Sequence, residues 1–234
     1  MMGVVRGNAE GCDRRNRLAV LVQEDDVGRY TGPSCKLCRR ERTKLFLKGA
    51  RCETAKCAIE QRNFPPGVHG QRRGKDKPYG LQLRERQKAR RMYGVGEKQM
   101  RNYFRRAESR PGLTGDNLLS LLERRFDNIV FRLGFATSRK QARQLVCHKH
   151  FTVNGKLVNV PSYIVGEGDM ISVREKSRSL EVIKSAMEAA TLRGVPEWLE
   201  LDAERMGGRV VRLPNREDIT IPVQEELIVA LYSR

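Results

Sequence analysis

Apolar residues along this chain follow three regimes. Between residues 79 and 133 they recur every three or four positions. After His150 they alternate, and before residue 79 they show almost no period. The first regime predicts helices at 79–93 and 97–110, separated by Gly94 and Gly96, with Pro111-Gly112 breaking the second. A third helix is expected to start at 114–116 and run to Leu133. Its stripe is Leu118, Leu119, Leu122, Phe126, Ile129 and Leu133, and Gly134 stops it. Ser138 then caps a short helix, with Gln141 three residues on as its capping-box partner.

The second regime predicts a hairpin. FTV and KLV flank Asn154-Gly155, a dipeptide suited to a tight two-residue turn, and GDMISV at 168–173 reads as a further strand. Residues 179–193 return to helical spacing through Leu180, Ile183, Met187 and Leu192, a face expected to pack back onto the helices of 79–110. A last short helix is expected at 225–232. No internal repeat appears. Helices and short antiparallel strands in separate runs argue for an α+β fold. Four parts follow: an extension at 1–28, an arm at 29–78, a mainly helical domain at 79–121 plus 179–234, and a helix–hairpin module at 122–178.

The unpatterned arm is rich in Gly, Pro and charge, as in FPPGVHGQRRGKDKP at 64–78, and has little apolar material for a core. It does carry four cysteines. Cys35 and Cys38 are two residues apart, Cys52 follows after thirteen more, and Cys57 after another four. One turn of a CxxC pair can present two thiolates to a single point, and a second close pair completes a tetrahedral metal site. Zinc fits this spacing, and an iron–sulfur cluster on the same four thiolates is the alternative. Lys36, Arg39, Arg40, Lys44, Arg51 and Lys56 surround the cysteines and are expected to lower their pKa, with the metal acting as the arm's core. Cys147 is expected to pack on the apolar flank of its helix, and Cys12 has no assigned role.

Charge then changes the picture. The 234 residues carry a net +18, and residues 29–110 alone hold 24 basic and 7 acidic residues, a net +17. Residues 179–234 have 7 basic and 10 acidic residues, a net −3. A field that concentrated repels itself unless a polyanion neutralises it, which points to nucleic acid. On the helix at 79–93, Arg84, Lys88 and Arg91 line one side of an apolar arc of Leu81, Ala89, Met92 and Tyr93, while Arg86 and Arg90 line the other. Only Glu85 is available within that helix to pair with them, so the helix is expected on a phosphate backbone. A second basic surface joins Arg139, Lys140, Arg143 and Lys149 to the hairpin tip at Asn154 and Lys156, suited to backbone and shape recognition. Arg39, Arg40, His69, Arg72 and Arg73 of the arm complete the expected RNA contacts. Glu225 and Glu226 in the acidic third are expected to face a basic protein neighbour.

RLGFATSRKQARQLV followed by VNGK resembles the small RNA-binding module named after small-subunit ribosomal protein four. GRYTGPSCKLCRRE, FPPGVHGQ, LRERQKARRMYG, PSYIVGEGD and LPNREDITIPVQEELIVALYSR are similar to bacterial members of that ribosomal family, so the resemblance runs from Gly28 to Arg234. It implies a cysteine-bearing arm, a helical domain and the module inserted within it. It also implies direct, early binding of small-subunit (16S) ribosomal RNA, contact with ribosomal proteins five and twelve, and a part in translational accuracy. Such proteins usually begin near Gly28, so residues 1–27 are either an extension or the product of a misread start at Val27.

Other classes fit less well. An RNA-modifying enzyme would place a nucleophilic Asp in a strand–loop setting, yet Asp127 lies within helical periodicity, and the 56 residues after the module are too few for that catalytic domain. No paired carboxylates or Ser/His/Asp set stands out, and His69, His148 and His150 are isolated or in basic surroundings. A non-ribosomal RNA-binding factor would have no need for the four-cysteine arm. No apolar run approaches the roughly 18–20 residues that span a bilayer. LAVLV at 18–22 is too short for a secretory signal and is followed by acids. The expectation is a cytoplasmic RNA binder with no membrane or small-molecule substrate.

Overall fold

A computed structural model describes residues 30–71, 77–191 and 194–233. The leading segment with Cys12, the cations Arg72 and Arg73, and the expected helix end at 192–193 lie outside these residues. In chain order the helices are α1 (Ser34–Glu41), α2 (Ala58–Gln61), α3 (Pro78–Tyr93), α4 (Glu97–Glu108), α5 (Thr114–Glu123), α6 (Phe126–Arg132) and α7 (Arg139–Cys147). Strands β1 (Phe151–Val153), β2 (Lys156–Leu157) and β3 (Met170–Val173) follow, then α8 (Glu181–Thr191), β4 (Leu199–Asp202), β5 (Gly207–Val210) and α9 (Glu225–Tyr232). Among the described residues no helix is long and apolar enough to cross a membrane.

Two apolar cores organise these elements. The first joins the arm to α3, α4, α5 and α9. Met100, Tyr103, Phe104 and Ala107 form the buried stripe of α4, Ile228 comes from α9, and Phe104 stacks on Tyr232 with ring centroids 4.6 Å apart. Pro78 starts α3 where its missing N–H is not needed, and Gly94 ends it at φ 63° with Val95 N–H on the Arg90 carbonyl. Leu81, expected in the apolar arc, is 45% exposed, and Gln82 is buried in its place.

The expected single helix from 114 to 133 is two helices. At Arg125 the backbone is extended (φ −63°, ψ 136°) and bridges Ile164. Phe126 N–H bonds the Tyr163 carbonyl, and Val165 N–H bonds that of Arg124. The cause is the fully buried Arg125 guanidinium, which donates to both carboxylate oxygens of Asp127 (3.1 and 2.9 Å) and to Tyr103 Oη (2.7 Å). The apolar spacing survives the break because the residues on either side still face the interior.

The second core holds the module. Five antiparallel strands run in the order β2-β1-β3-β5-β4, with Asn154 and Gly155 at φ 49° and 75° making the tight turn expected between β1 and β2. Phe126, Phe135, Phe151, Ile171, Trp198 and Val210 fill this core. Strands β4 and β5 escaped the sequence reading because β5 opens with two glycines, residues poor in strand propensity. Gly208 has a packing reason to be glycine, since a Cβ there would stand 2.5 Å from Leu133 and 2.9 Å from the Glu200 carbonyl.

Helix α8 packs Ile183 and Met187, with Leu180 just before it, into this second core, not onto the basic helices as expected. The stretch assigned as one helical unit at 179–234 therefore divides. Residues 181–191 and 195–210 join the module, and Ile219, Ile221, Val223 and Ile228 return to the first core.

Candidate nucleic-acid interface

The arm is built on more than cysteine. Leu45, Leu47 and Ile59 are buried in the first core beside Cys38 and Cys57, which corrects the expectation that a metal alone supplies the arm's interior. Glu41, at the end of α1 with a side chain 1% exposed, takes Arg84 (3.3 Å) and Arg91 of α3. Arg39 donates to the Phe64 carbonyl (3.0 Å) and lies over the Phe64 ring, so it ties down the Pro-Gly loop. Arg40 and His69 are exposed.

Cys35, Cys38, Cys52 and Cys57 line one cavity of about 20 Å³, room for a single water-sized sphere. Lys48 N–H donates to Cys52 Sγ at 3.3 Å. Among the described residues no group of three or more Cys, His, Asp or Glu side chains already stands set to hold a metal ion. The donor set, four thiols around a space of one ion's size, fits a structural thiolate metal. Burial pushes Cys38 and Cys52 up, and Lys44 is occupied by Glu60 at 2.5 Å.

The five cations of α3 are paired within the protein. Arg84 and Arg91 hold Glu41, Arg86 and Arg90 hold Glu97 at 2.8 and 2.9 Å, and Lys88 holds Glu85 at 2.5 Å and the Pro222 carbonyl at 3.2 Å. Two of the three acids come from outside the helix, which spacing within α3 could not reveal. Arg84 and Arg91 thus first serve to dock the arm, Arg86 and Arg90 to dock α4, and Lys88 to hold the C-terminal segment.

Helix α7 divides in the same way. Ser138 caps it by accepting Gln141 N–H (3.3 Å), while Gln141 Oε1 reaches Thr137 N–H (2.7 Å), one residue earlier than the expected box. Arg139 is half-buried: it donates to Asn128 Oδ1 (2.8 Å) and lies over the Phe131 and Tyr93 rings, bridging the two cores, and burial lowers its pKa. Lys140 donates to Ser34 Oγ (2.8 Å), joining module to arm. Arg143 reaches Asp127 at 3.5 Å and keeps 31% of its side chain exposed. Lys149 and Lys156 are exposed, and Cys147 is also exposed, contrary to the expected packing role. Asn154 is a hairpin lock: its amide donates to Asp169 (2.8 Å) and its carbonyl accepts Met170 N–H (2.9 Å).

The outer side of α4 and the turn after it lie outside the expected RNA contacts. Lys98, Arg101, Arg105, Arg106 and Arg110 are exposed, and none pairs with an acid among the described residues. Lys98, Arg101 and Arg105 recur at three and four residues, the same period that buries Met100, Tyr103 and Phe104 on the opposite side. That complementary spacing was the available signal. Of the expected protein-contact acids, Glu226 is exposed but Glu225 accepts Arg216 Nε at 2.8 Å and packs on Gly115, where a Cβ would stand 2.7 Å from its Cγ.

A family model described as "Ribosomal protein S4/S9 N-terminal domain" matches residues 29–123, and one described as "S4 domain" matches residues 124–171. Small ribosomal subunit protein uS4 of Geotalea daltonii is 62% identical over 208 residues, 89% of this chain and 100% of that protein. The uS4 proteins of Geobacter sulfurreducens and Thermodesulfovibrio yellowstonii are 59% and 57% identical over the same shares. The chain, from its basic arm to α9, belongs to the small ribosomal subunit protein uS4 family.

Proposed function

We propose that this chain is a structural, non-enzymatic constituent of the cytoplasmic small ribosomal subunit that binds small-subunit ribosomal RNA directly. The observation that carries the RNA contact is the set of exposed cations without acid partners among the described residues: Arg40 on the arm, Lys98, Arg101 and Arg105 on α4, and Lys149 and Lys156 on the module. Groups of this kind neutralise phosphates and fix register without reading bases. The frame behind them joins module to helices through Arg125–Tyr103, and arm to helices and module through Glu41–Arg84 and Lys140–Ser34.

Three finer elements belong to the same proposal. The four arm thiolates hold zinc, with an iron–sulfur cluster as the alternative on the same ligands, and the bound metal cross-links α1 to the 48–57 loop. The protein joins 16S RNA early in assembly. Its acidic C-terminal surface, including Glu226, meets basic neighbours such as ribosomal proteins five and twelve and so bears on decoding accuracy. The test is titration of the full chain with small-subunit RNA over a salt series, with metal analysis of the free and bound protein. A log–log salt slope of magnitude about 5 or more supports the reading. A flat slope overturns the phosphate contact, and metal-free protein overturns the thiolate site.

A further inference from the structure

Phe46 occupies an improbable place. Its neighbours Leu45 and Leu47 are buried in the first core, yet its own side chain is 42% exposed. Its backbone sits at φ 50°, the left-handed region that a bulky side chain rarely adopts. It is the only aromatic residue in that region among the described residues. An exposed turn position would be filled at lower cost by Gly or Asn. Backbone strain kept at an exposed aromatic points toward a contact made by the ring.

The ring lines a cleft where arm, α3 and module meet. Tyr30, Tyr93, Asp127, Lys140 and Arg143 are among the other walls, and the cavity measures about 150 Å³. A cavity of that size accepts a single benzene-like ring. Arg90, Arg91, Arg139, Lys140 and Arg143 are among its walls with Asp127; Arg90 and Arg91 are paired with Glu97 and Glu41, and Arg143 reaches Asp127 at 3.5 Å. Tyr30 is 41% exposed, and its ring lies across Gly32, where a Cβ would stand 2.7 Å from the ring carbon Cζ. The cleft therefore offers aromatic faces beside cationic side chains, with Arg143 keeping 31% of its side chain exposed.

We propose that this cleft receives one unstacked nucleobase of the bound ribosomal RNA, with Phe46 as its stacking platform and its flanking phosphates beside Arg143 and Lys140. Stacking on aromatic faces beside a cationic track is how proteins hold single-stranded nucleotides, and every base has the required π-face. The inference rests on the RNA-binding reading and deepens it by assigning a base contact to a surface otherwise made of phosphate contacts.

The test uses the full chain and small-subunit RNA carrying randomly placed 4-thiouridine. Phe46→Gly relieves the left-handed backbone, so the free protein should melt at a higher temperature while its RNA affinity falls about tenfold. Phe46→Leu, which keeps apolar bulk and loses the flat face, should lose affinity without the rise in melting temperature. Near-ultraviolet irradiation of the parent complex should give a photo-adduct at Phe46 or Tyr30, absent from the Phe46→Gly complex. Parent-level RNA affinity in Phe46→Gly overturns the inference, as does an adduct confined to residues away from the cleft. Unchanged RNA affinity with lost binding of another small-subunit protein overturns it too, by assigning the cleft to a protein side chain. The parent's own affinity in the same titration tests the RNA reading separately.

Discussion

Glu41 and Arg91 form an ion pair between the arm and α3, with the carboxylate 1% exposed and the guanidinium side chain 20% exposed. Burial pushes the Glu41 carboxyl up, and Arg91 and Arg84 oppose that shift. Removing both arginines leaves a buried carboxylate without a partner, a change costing on the order of 3 kcal/mol. Urea denaturation of Arg84→Gln/Arg91→Gln should show that loss, and limited proteolysis should cut the arm first. Parent-level stability would mean that the pair is solvated in solution.

The same pairing decides which helix meets RNA through free charge. Neutralising Lys98, Arg101 and Arg105 of α4 to Gln should lower the magnitude of the salt slope by about 2–3, at roughly 0.7–0.9 per contact. The matching α3 variant Arg86→Gln/Lys88→Gln removes cations already paired with Glu97 and Glu85, so its slope should change by less than about one. Equal effects from the two variants would show that the α3 pairs open on binding.

Acid should unfold this protein through Glu123. Burial pushes its carboxyl up, but Arg132, at 3.0 and 2.7 Å, overrides burial together with Tyr93 Oη (2.8 Å) and holds it at about 2. A depressed pKa stabilises the fold above the unfolded value near 4.5, and that contribution disappears as pH falls through about 2. The amount is on the order of 3 kcal/mol. Glu123→Gln should therefore be less stable at pH 7 and show a flatter stability profile between pH 5 and 2. A variant as pH-dependent as the parent would remove Glu123 from this role.

Much of this architecture was legible because local signals were strong. Gly94 ends α3, Asn154-Gly155 turns the hairpin, and Glu225–Tyr232 forms the last helix as its spacing indicated. The failures share a cause: each depends on a partner distant in sequence. Arg125 breaks the expected long helix because Tyr103 lies 22 residues earlier and Ile164 pairs with its backbone. The α3 cations looked free because Glu41 lies 43 residues from Arg84. Strand β5 became visible only once β3 and β4 supplied its two edges. The exposed α4 cations are less conspicuous in sequence than the arginine run of α3.

Metal removal should loosen part of the arm, not all of it. If the four thiolates hold a metal, chelation at neutral pH should expose the 48–57 loop to protease, because its cross-link is then removed. Helix α1 should stay docked through Glu41, Lys140–Ser34 and the buried Leu45 and Leu47. Hydrogen exchange before and after chelation should show protection lost in the loop and retained in α1. Uniform loss across 34–62 would restore the metal as the arm's main support.

Glu225 and Glu226 are adjacent in sequence and opposite in role. Glu225 accepts Arg216 at 2.8 Å, its pKa is lowered by that bond against burial, and it packs against the space left by Gly115. Arg216 also donates to the Ile219 carbonyl at 2.9 Å, so the pair fixes the 216–225 turn that returns the chain to the first core. Charge reversal at Glu225 sets a lysine against that arginine and should lower the melting temperature by several degrees, with any effect on translation following from lost fold. Glu226 is exposed at the first turn of α9, where reversal costs little because the surrounding water screens it. If the acidic C-terminal surface meets a basic ribosomal neighbour, Glu226→Lys alone should leave stability and RNA affinity at parental levels while raising codon misreading in a reporter strain. Parental accuracy in a Glu226→Lys strain, with the protein assembled into subunits at normal levels, would remove this residue from any such contact.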